Sequence, residues 1–457
     1  MSAKLSKMET ASPAELVFGL AKHPLSYGIR LDVGKGSVIP ELKYFTRSAS
    51  EGKTEGIEGE FVSITSDVLQ RASELGLPAL QLETEFTFVE TSRPRMVGEI
   101  VSAQKDMLEK HCERLGTAAA LRATIADMRD VRRAGLDPES RAKMMESFEA
   151  AASNGADVLS IESEGGKDVF NYAVIRQDLK GVLLALGVLA PIDMKGLWKD
   201  IVRIADKSGA IPGGDTACAF GNTAMRMADG IGQMTISHVF AAAVRAMSAS
   251  RSLVAYEEGA RGPGKDCGYE NVVLKAITGF PMSMEGKTSA SAHSSLVGNV
   301  AAACCDLWSN EQVPNVMLFG GTAPQVFLEM LSYDVKLMNE AHRAKRAKEV
   351  ADLFVSSDKF SDPQAFVLAP DVAWQIGSAI MSDQDDTYRR TVAACETALD
   401  MILDAKELNL SASERRFGIK LRDELASIPS DVDQFIQESV SSYRDKVETF
   451  RPRDYQL

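Results

Sequence analysis

Residues 156–166, Ala-Asp-Val-Leu-Ser-Ile-Glu-Ser-Glu-Gly-Gly, contain a short apolar run that ends at a carboxylate and two glycines. An apolar run of this length is typical of a strand covered on both faces, as the strands of parallel sheets are. The preceding residues 138–153 have a helical pattern, with Asp137 as the N-cap. We therefore predict an α/β protein in which Glu162 stands at the carboxyl end of a buried strand.

Similar strand and helix patterns alternate along much of the chain. Strands are predicted at residues 78–89, 119–125 and 315–320, and helices at residues 65–75, 94–115 and 138–153. Repeated strand–helix units over roughly 250 residues are typical of a (β/α)8 barrel, also called a TIM barrel. A doubly wound sheet is the alternative fold.

Three regions follow from these patterns. Residues 1–64 are predicted to form an N-terminal helix and an irregular cover, residues 65–345 the barrel, and residues 346–457 a helical extension. The extension is predicted because no strand pattern follows Asp334. Its clearest apolar stripe repeats at three- and four-residue intervals, as one face of a helix does, at Val392, Cys395, Leu399 and Ile402. The expected architecture is thus a barrel with extra helical regions at both termini.

A helix start is predicted near the N-terminus. Ser12 is a suitable N-cap, Pro13 suits the first helical position, and Glu15 completes a capping box. We therefore expect the first helix to begin at Pro13.

Composition and net charge exclude several classes of protein. The net charge of the 457-residue chain is -13, which argues against a nucleic-acid-binding protein. Six cysteines, two of them adjacent, do not make a disulfide framework and fit a reducing compartment. The sequence has no signal-peptide pattern and no apolar run of about 18 residues that would span a membrane. A cytoplasmic protein without a membrane partner is expected.

Glu162, Cys218 and Cys267 each lie in a separate glycine-rich context, and the gaps between them match one or two barrel units. Reactive groups in such barrels come from the carboxyl ends of the strands, so these three side chains can meet at one mouth. Zinc accepts thiolate and carboxylate ligands, and three protein ligands with an open fourth position mark a catalytic zinc site. Two alternatives stay open: Glu164 competes with Glu162, and each cysteine can be a small buried apolar residue.

The other four cysteines are predicted to belong to the core. Cys304 and Cys305 lie in a helix of small residues, and Cys395 lies on an apolar stripe. Cys112 follows His111 near a helix end, where packing is favoured over a metal pair. His293 follows a Gly/Ser-rich segment and is predicted to be structural, although its position leaves a place near the site open.

Residues 161–167, 214–222 and 262–270 resemble the zinc-containing subunit family of methanol:corrinoid methyltransferase, and the resemblance runs the length of the chain. The resemblance implies a (β/α)8 barrel with one zinc per chain, held by Glu162, Cys218 and Cys267. It also implies a corrinoid-carrying methyl-acceptor protein as partner, in an assembly that contains a homodimer of this chain within a heterotetramer. The implied reaction starts the use of methanol in methanogens and acetogenic anaerobes.

The chemistry implied by the resemblance needs a good leaving group. Co(I) of the partner attacks the methyl carbon of methanol, the C–O bond breaks, and zinc draws charge from the departing oxygen. A proton donor assists this departure, and the candidates are Asp215, Asp266 and Glu164. Asn222 either orients the oxygen or caps the following helix.

Two other functions remain open from the sequence. The first keeps zinc and the corrinoid acceptor but uses another methyl donor, either a methoxy compound or a methylated thiol. The second is a non-catalytic binding protein built on the same barrel.

Overall fold

The computed structural model of the chain describes residues 5–129, 137–228, 235–267, 269–287, 297–310, 316–382 and 386–457. Its strands, in chain order, are β1 (Leu20–Tyr27), β2 (Leu31–Lys35), β3 (Ile39–Tyr44), β4 (Ala79–Glu85), β5 (Ala118–Ile125), β6 (Val158–Ile161), β7 (Ile211–Asp215), β8 (Ser283–Glu285), β9 (Leu307–Ser309), β10 (Met317–Leu318) and β11 (Gly321–Thr322). Seven of them, β3 to β9, form one parallel sheet in the order β7-β6-β5-β4-β3-β9-β8.

A short irregular segment, residues 261–265, occupies the gap between β7 and β8 and closes the sheet. The amide of Arg261 donates to the carbonyl of Pro212 in β7, at 2.8 Å, and the amide of Gly264 donates to Pro281 O, at 3.0 Å. Gly264 also pairs with Met282 beside β8 in a parallel bridge. With this segment as the eighth position, the strands follow one another around the ring in chain order. The predicted (β/α)8 barrel is therefore confirmed, and the doubly wound alternative is wrong.

Helices surround this sheet and make up the C-terminal part of the chain. They are Arg47–Ser50, Ile57–Glu74, Phe88–Thr91, Pro94–Leu115, Pro138–Ser153, Lys167–Arg176, Leu179–Leu184, Ala190–Ser208, Thr223–Ala228, His238–Glu257, Asn271–Thr278, Gly298–Ala302, Ala323–Arg343, Ala347–Asp358, Pro363–Leu368, Pro370–Ser382, Thr387–Asp404, Ala412–Ser427 and Val432–Lys446. Residues Ala185–Leu189 and Cys218–Asn222 are π-helical, and Pro13–Glu15 and Pro452–Tyr455 are 3-10 turns.

The amino end of the barrel is covered by the hairpin of β1 and β2. Tyr27, Leu31 and Val33 of this hairpin pack with apolar residues at the starts of the barrel strands. Gly28 turns the hairpin with a positive φ of 59°, and a Cβ there would lie 2.6 Å from the carbonyl oxygen of Ala119. The covered amino end leaves the carboxyl end of the strands as the place for a site.

One continuous helical run, Leu179–Ser208, is long and apolar enough by composition to cross a membrane. Its most apolar window is 78% buried inside the protein. Leu183, Leu186 and Trp198 of this run are fully buried, so the run packs as a core helix between the barrel and the C-terminal helices.

Several predicted elements differ in the structure. The helix predicted at residues 65–75 already begins at Ile57, and the strand predicted at residues 78–89 ends at Glu85, before the short helix Phe88–Thr91. The first helix is only the 3-10 turn Pro13–Glu15, because the chain leaves helical geometry at Leu16, whose side chain is buried. Ser12 makes no side-chain cap. Strand β3 lies within the segment predicted as a cover, so the barrel sheet begins before residue 65.

The strand predicted at residues 315–320 is also wrong as a barrel strand. Of its described residues, 316–320, Met317–Leu318 form the exposed strand β10, which pairs with β11 in an antiparallel hairpin. The last barrel strand is instead β9, at Leu307–Ser309. Three residues are too few to give an alternating or apolar pattern that identifies a strand.

Candidate metal centre

Glu162, Cys218 and Cys267 meet at the carboxyl end of the barrel. One ligand atom of each residue lies within 4.8 Å of those of the other two. The thiol of Cys267 donates a hydrogen bond to Oε1 of Glu162, at 2.8 Å. The structure therefore brings together the three residues for which the sequence predicts a shared metal.

Each ligand leaves its strand through a specific local structure. Glu162 directly follows β6, and the chain then turns at Gly166, whose φ is 84°. Cys218 opens the π-helical turn Cys218–Asn222 after β7, a form that occurs often at functional sites. The wider turn lets the Asn222 side-chain amide donate to the Cys218 sulfur, at 3.3 Å. Asn222 thus contacts a predicted ligand directly, which neither of its two predicted roles included.

Lys265 is the buried cation at the centre of the site. Its Nζ lies 2.5 Å from Oε1 of Glu162, 3.1 Å from Oε1 of Glu83 and 3.2 Å from Oδ1 of Asp266. It also lies 3.7 Å from the sulfur of Cys267. Burial opposes ionisation of Glu162, but the positive charges of Lys265 and Lys43 outweigh it and lower the pKa of Glu162 to about 2. Glu162 is therefore an anion that can bind a metal at neutral pH.

The two thiols are held in the protonated form. A hydrogen bond from Cys267 lowers the pKa of Cys218, but burial and the nearby Glu162 charge outweigh it and raise the pKa to about 12. Burial, together with the neighbouring Cys218 and Glu162, raises the pKa of Cys267 well above its usual value. Metal ligation therefore has to displace a proton from each thiol.

The donor set fits zinc. Zinc–sulfur bonds of about 2.3 Å and zinc–oxygen bonds of about 2.1 Å place tetrahedral donors roughly 3–4 Å apart, and the three donor atoms lie within 4.8 Å of one another. Among the described residues, one other such group exists: Asp266, Cys267 and Glu285. The two groups share Cys267, and in the second group Nζ of Lys43 lies 2.6 Å from Oε1 of Glu285 and 3.2 Å from Oδ2 of Asp266.

Asp215 is fully buried and holds the ends of β6 and β7 together. Its oxygens accept hydrogen bonds from the Ser163 amide at 3.1 Å, the Ser163 hydroxyl at 2.5 Å, Nε1 of Trp198 at 3.0 Å and Nη1 of Arg251 at 3.1 Å. These donors satisfy both oxygens of the buried carboxylate. The contacts favour a positioning role, because they fix the residues next to Glu162 and Cys218.

Asp266 is likewise a buried counter-ion. Its carboxylate accepts a hydrogen bond from the Ser309 hydroxyl at 2.7 Å, and it lies between Lys43 and Lys265. Burial opposes its ionisation, but the two lysines outweigh this and hold the pKa of Asp266 well below its usual value. An ionised Asp266 is poorly suited to donate a proton.

Glu164 is the predicted acid that reaches the cavity at the site. Burial raises the pKa of Glu164, although the ion pair with Lys167 opposes this shift. The cavity has a volume of about 160 Å³ and is lined by Glu85, Phe86, Phe88, Thr124, Ile125, Ala126, Asp127, Glu162 and Glu164. This volume is well below the several hundred Å³ of pockets for drug-sized ligands, so a very small substrate fits it best.

Sequence reasoning missed the charged residues inside the barrel. Glu41 and Lys43 alternate with apolar residues in β3, and Gln81 and Glu83 do so in β4. All four side chains are buried. Alternation of this kind normally indicates a strand with one solvated face. Charges of both signs repeating in consecutive strands were the signal that this face lies inside a closed barrel.

The remaining cysteines lie away from the ligands. Cys112, Cys304, Cys305 and Cys395 are free and buried in the apolar core, as predicted. The prediction for His293 falls outside the described residues.

A (β/α)8 barrel with a carboxylate and two thiols gathered at its carboxyl mouth belongs to the class of barrel enzymes with a candidate metal centre. The family model described as methanol-cobalamin methyltransferase B subunit matches residues 2–456. The chain belongs to this family.

Two relatives extend the match over the whole chain. The chain is 43% identical over 459 residues to the methanol–corrinoid protein co-methyltransferase of Methanosarcina barkeri (strain Fusaro), with 100% of both chains covered. A crystal structure of the methanol:cobalamin methyltransferase complex MtaBC from Methanosarcina barkeri contains a chain with the same fold, at a TM-score of 0.96, 43% identity and 100% coverage of both chains. The agreement includes the barrel, the N-terminal hairpin and the C-terminal helices.

Proposed function

We propose that this chain is a methanol–corrinoid protein co-methyltransferase, which breaks the C–O bond of methanol and passes the methyl group to cobalt of a partner corrinoid protein. The observation that carries the proposal is the convergence of Glu162, Cys218 and Cys267 beside a cavity of about 160 Å³. The family match over residues 2–456 supports the same activity.

Glu162, Cys218 and Cys267 would hold one zinc ion. Zinc, when bound there, supplies a Lewis acid for the oxygen of methanol. Lys265 orients Glu162 through its hydrogen bond, and Asn222 donates to the sulfur of Cys218. Such outer contacts fix the ligands and tune their basicity. The family's expectation of zinc thus agrees with the donors and with the contacts around them.

The reaction forms one bond, breaks one bond and needs one proton. The electron pair of Co(I) forms the new bond to the methyl carbon, the C–O pair leaves with oxygen, and a proton converts the departing hydroxide to water. Glu164 lines the cavity and has a pKa raised by burial, so this side chain is suited to hold that proton. The other two predicted acids position their neighbours instead: Asp266 is a buried anion between Lys43 and Lys265, and both oxygens of Asp215 accept hydrogen bonds.

The names of the relatives, a methanol–corrinoid protein co-methyltransferase and a methyltransferase complex, support a corrinoid protein as partner. We infer that the acceptor is a corrinoid-carrying protein and that two copies of each chain form a heterotetramer. A cytoplasmic location, and a role at the start of methanol use in methanogenic or acetogenic metabolism, are parts of this proposal.

The test is methyl transfer with a panel of donors. The zinc-loaded protein and a corrinoid protein reduced to Co(I) are mixed with methanol, a methoxy compound or a methylated thiol, and methyl-Co(III) is followed by its absorbance. We expect product from methanol. Product from another donor alone would favour the alternative methyltransferase, and zinc-loaded protein inactive with every donor would favour the non-catalytic alternative.

A further inference from the structure

The loop between β6 and helix Lys167–Arg176 carries two acidic residues of the metal centre. Glu162 is its first residue and a predicted metal ligand, and Glu164 lines the cavity beside it. The loop ends at Gly165 and Gly166, which are both buried. Two consecutive glycines give a backbone more freedom than other residues do, so contacts from elsewhere in the chain have to fix this loop.

Close packing explains why glycine stands at both positions. A Cβ at Gly165 would lie 2.6 Å from Oδ2 of Asp193, and a Cβ at Gly166 would lie 3.0 Å from the carbonyl oxygen of Ala185. Gly166 also has a φ of 84°, a conformation that strains other residues. The loop therefore lies directly against helix Ala190–Ser208 and the π-helical turn before it.

Side chains from four other positions in the chain bind the backbone of this loop. They are Asp215 at the amide of Ser163 (3.1 Å), Arg251 at the carbonyl of Ser163 (2.6 Å), Asp127 at the amide of Glu164 (2.8 Å) and Tyr455 at the amide of Gly166 (2.8 Å). The first three belong to the barrel region. Tyr455 belongs to the C-terminal extension, so this extension contributes a contact to the metal centre.

The ring of Tyr455 has packing of its own. Tyr455 ends the 3-10 turn Pro452–Tyr455 and is 6% exposed. Its ring centroid lies 6.1 Å from that of Phe450, which is also buried, and both residues belong to the main apolar core. The hydroxyl can therefore be removed by substitution with phenylalanine while the ring stays in place.

We propose that Tyr455 is a positioning residue for the metal centre, because it fixes the end of the loop at Gly166 and thereby the places of Glu162 and Glu164. This rests on the proposed function, in which Glu162 binds zinc and Glu164 holds the proton for the departing oxygen. Without the hydroxyl, the buried amide of Gly166 loses its acceptor, which is costly. The loop then shifts until the amide finds another acceptor, and a shift of about 1 Å at a reacting group can lower a rate by about a hundredfold.

Tyr443 provides a matched control. It is also a buried tyrosine of the C-terminal extension, and its hydroxyl donates to Oδ2 of Asp178, at 2.6 Å. Asp178 is the N-cap of helix Leu179–Leu184, so each of the two hydroxyls binds at the start of a helix. Of these two tyrosines, it is Tyr455 that binds the loop of the metal centre.

The test compares Tyr455→Phe and Tyr443→Phe with the wild type, below the Tm of all three proteins. Zinc release is timed with a chromogenic chelator, and steady-state kinetics in excess zinc, with a corrinoid protein reduced to Co(I), give kcat and KM for methanol. We expect Tyr455→Phe to release zinc about tenfold faster, as the loss of an outer contact does. Its kcat should fall by about tenfold with KM for methanol unchanged, because Glu164 is displaced. Tyr443→Phe should lower Tm but leave zinc release and kcat unchanged.

Two results would overturn the assignment and leave the proposed function intact. In the first, Tyr455→Phe lowers Tm but keeps the zinc release rate and kcat of the wild type, so that the contact only stabilises the fold. In the second, Tyr443→Phe speeds zinc release as much as Tyr455→Phe, so that the effect comes from general loosening of the extension. If the wild-type protein itself binds no zinc or forms no methyl-Co(III) from methanol, it is the proposed function that fails.

Discussion

The sulfur of Cys267 lies 2.8 Å from Oε1 of Glu162, although 105 positions separate the two residues in the chain. The contact exists because Glu162 follows β6 while Cys267 follows the irregular segment that fills the eighth strand position. A barrel brings such distant strand ends to one mouth. The first three predictions concern what this contact becomes when a metal is present.

Replacing either cysteine should remove the metal. We expect Cys218→Ala and Cys267→Ala to lose stoichiometric zinc and methyl transfer while keeping the barrel, because each change removes one of three ligands. Cys395→Ala is the matched control, since Cys395 is equally a buried free thiol but lies in the C-terminal helices. Metal analysis measures the zinc content, and circular dichroism shows whether the barrel stays folded. Full zinc occupancy in either ligand variant would contradict the assignment.

Replacing Glu162 and replacing Glu164 should have different effects. Glu162→Gln should weaken zinc binding by about ten- to a hundredfold or more, because it replaces an anionic ligand. Glu164→Gln should keep zinc and KM but lower kcat by about a hundredfold, the usual contribution of a general acid. Zinc titration and steady-state kinetics test both. If Glu164→Gln lost zinc and Glu162→Gln kept it, the ligand would be two positions further along the chain.

Zinc affinity should rise steeply with pH. Both thiols are protonated in the metal-free protein, with the pKa of Cys218 raised to about 12 and that of Cys267 raised well above its usual value. Since ligation needs thiolates, binding should release about two protons, and the logarithm of the affinity should increase by up to about two per pH unit near neutrality. Glu162 adds no proton there, because its pKa is lowered to about 2.

Proton release can be counted by calorimetry in two buffers of different ionisation enthalpy. Cys304→Ala is the control, because that thiol is also buried and raised in pKa but belongs to the core. It should release the same number of protons as the wild type. Affinity independent of pH near neutrality would mean that the cysteines are not the ligands.

Regular elements with clear termini were predictable from the sequence. Helices Pro94–Leu115 and Pro138–Ser153 begin and end where predicted. Each begins there because proline stands at its first helical position. Asp137 caps the second through the amides of Glu139 and Ser140, and Gly116 ends the first in a left-handed conformation. These signals are local, so a single sequence contains them.

Elements defined by closure of the barrel were not predictable in the same way. Strand β3 contains Glu41 and Lys43, and its own pattern does not separate a solvated face from a closed interior. That distinction depends on the repeat of buried charges in the neighbouring strands. The pairing of Lys265 with Glu83, Glu162 and Asp266 joins positions far apart in the chain. The ligand residues were identified by resemblance to a family, whereas this charge network required coordinates.

Replacing Lys265, the central buried cation, should make the thermal stability depend more strongly on zinc. Lys265→Met leaves Glu162, Glu83 and Asp266 without their shared buried lysine, and breaking such a pair costs about 3–5 kcal/mol. Zinc brings positive charge to the same place, so it should restore part of this loss. We therefore expect the rise in Tm on adding zinc to be larger in Lys265→Met than in the wild type.

Lys275→Met provides the control for that experiment, because Lys275 is equally buried and pairs with Asp306, at 2.8 Å, outside the metal centre. It should lower Tm with and without zinc, and its zinc-dependent rise should equal that of the wild type. An equal rise in Lys265→Met and Lys275→Met would show that Lys265 and the metal do not share the same carboxylates. A larger rise only in Lys265→Met would place the zinc charge beside Glu162, independently of any activity measurement.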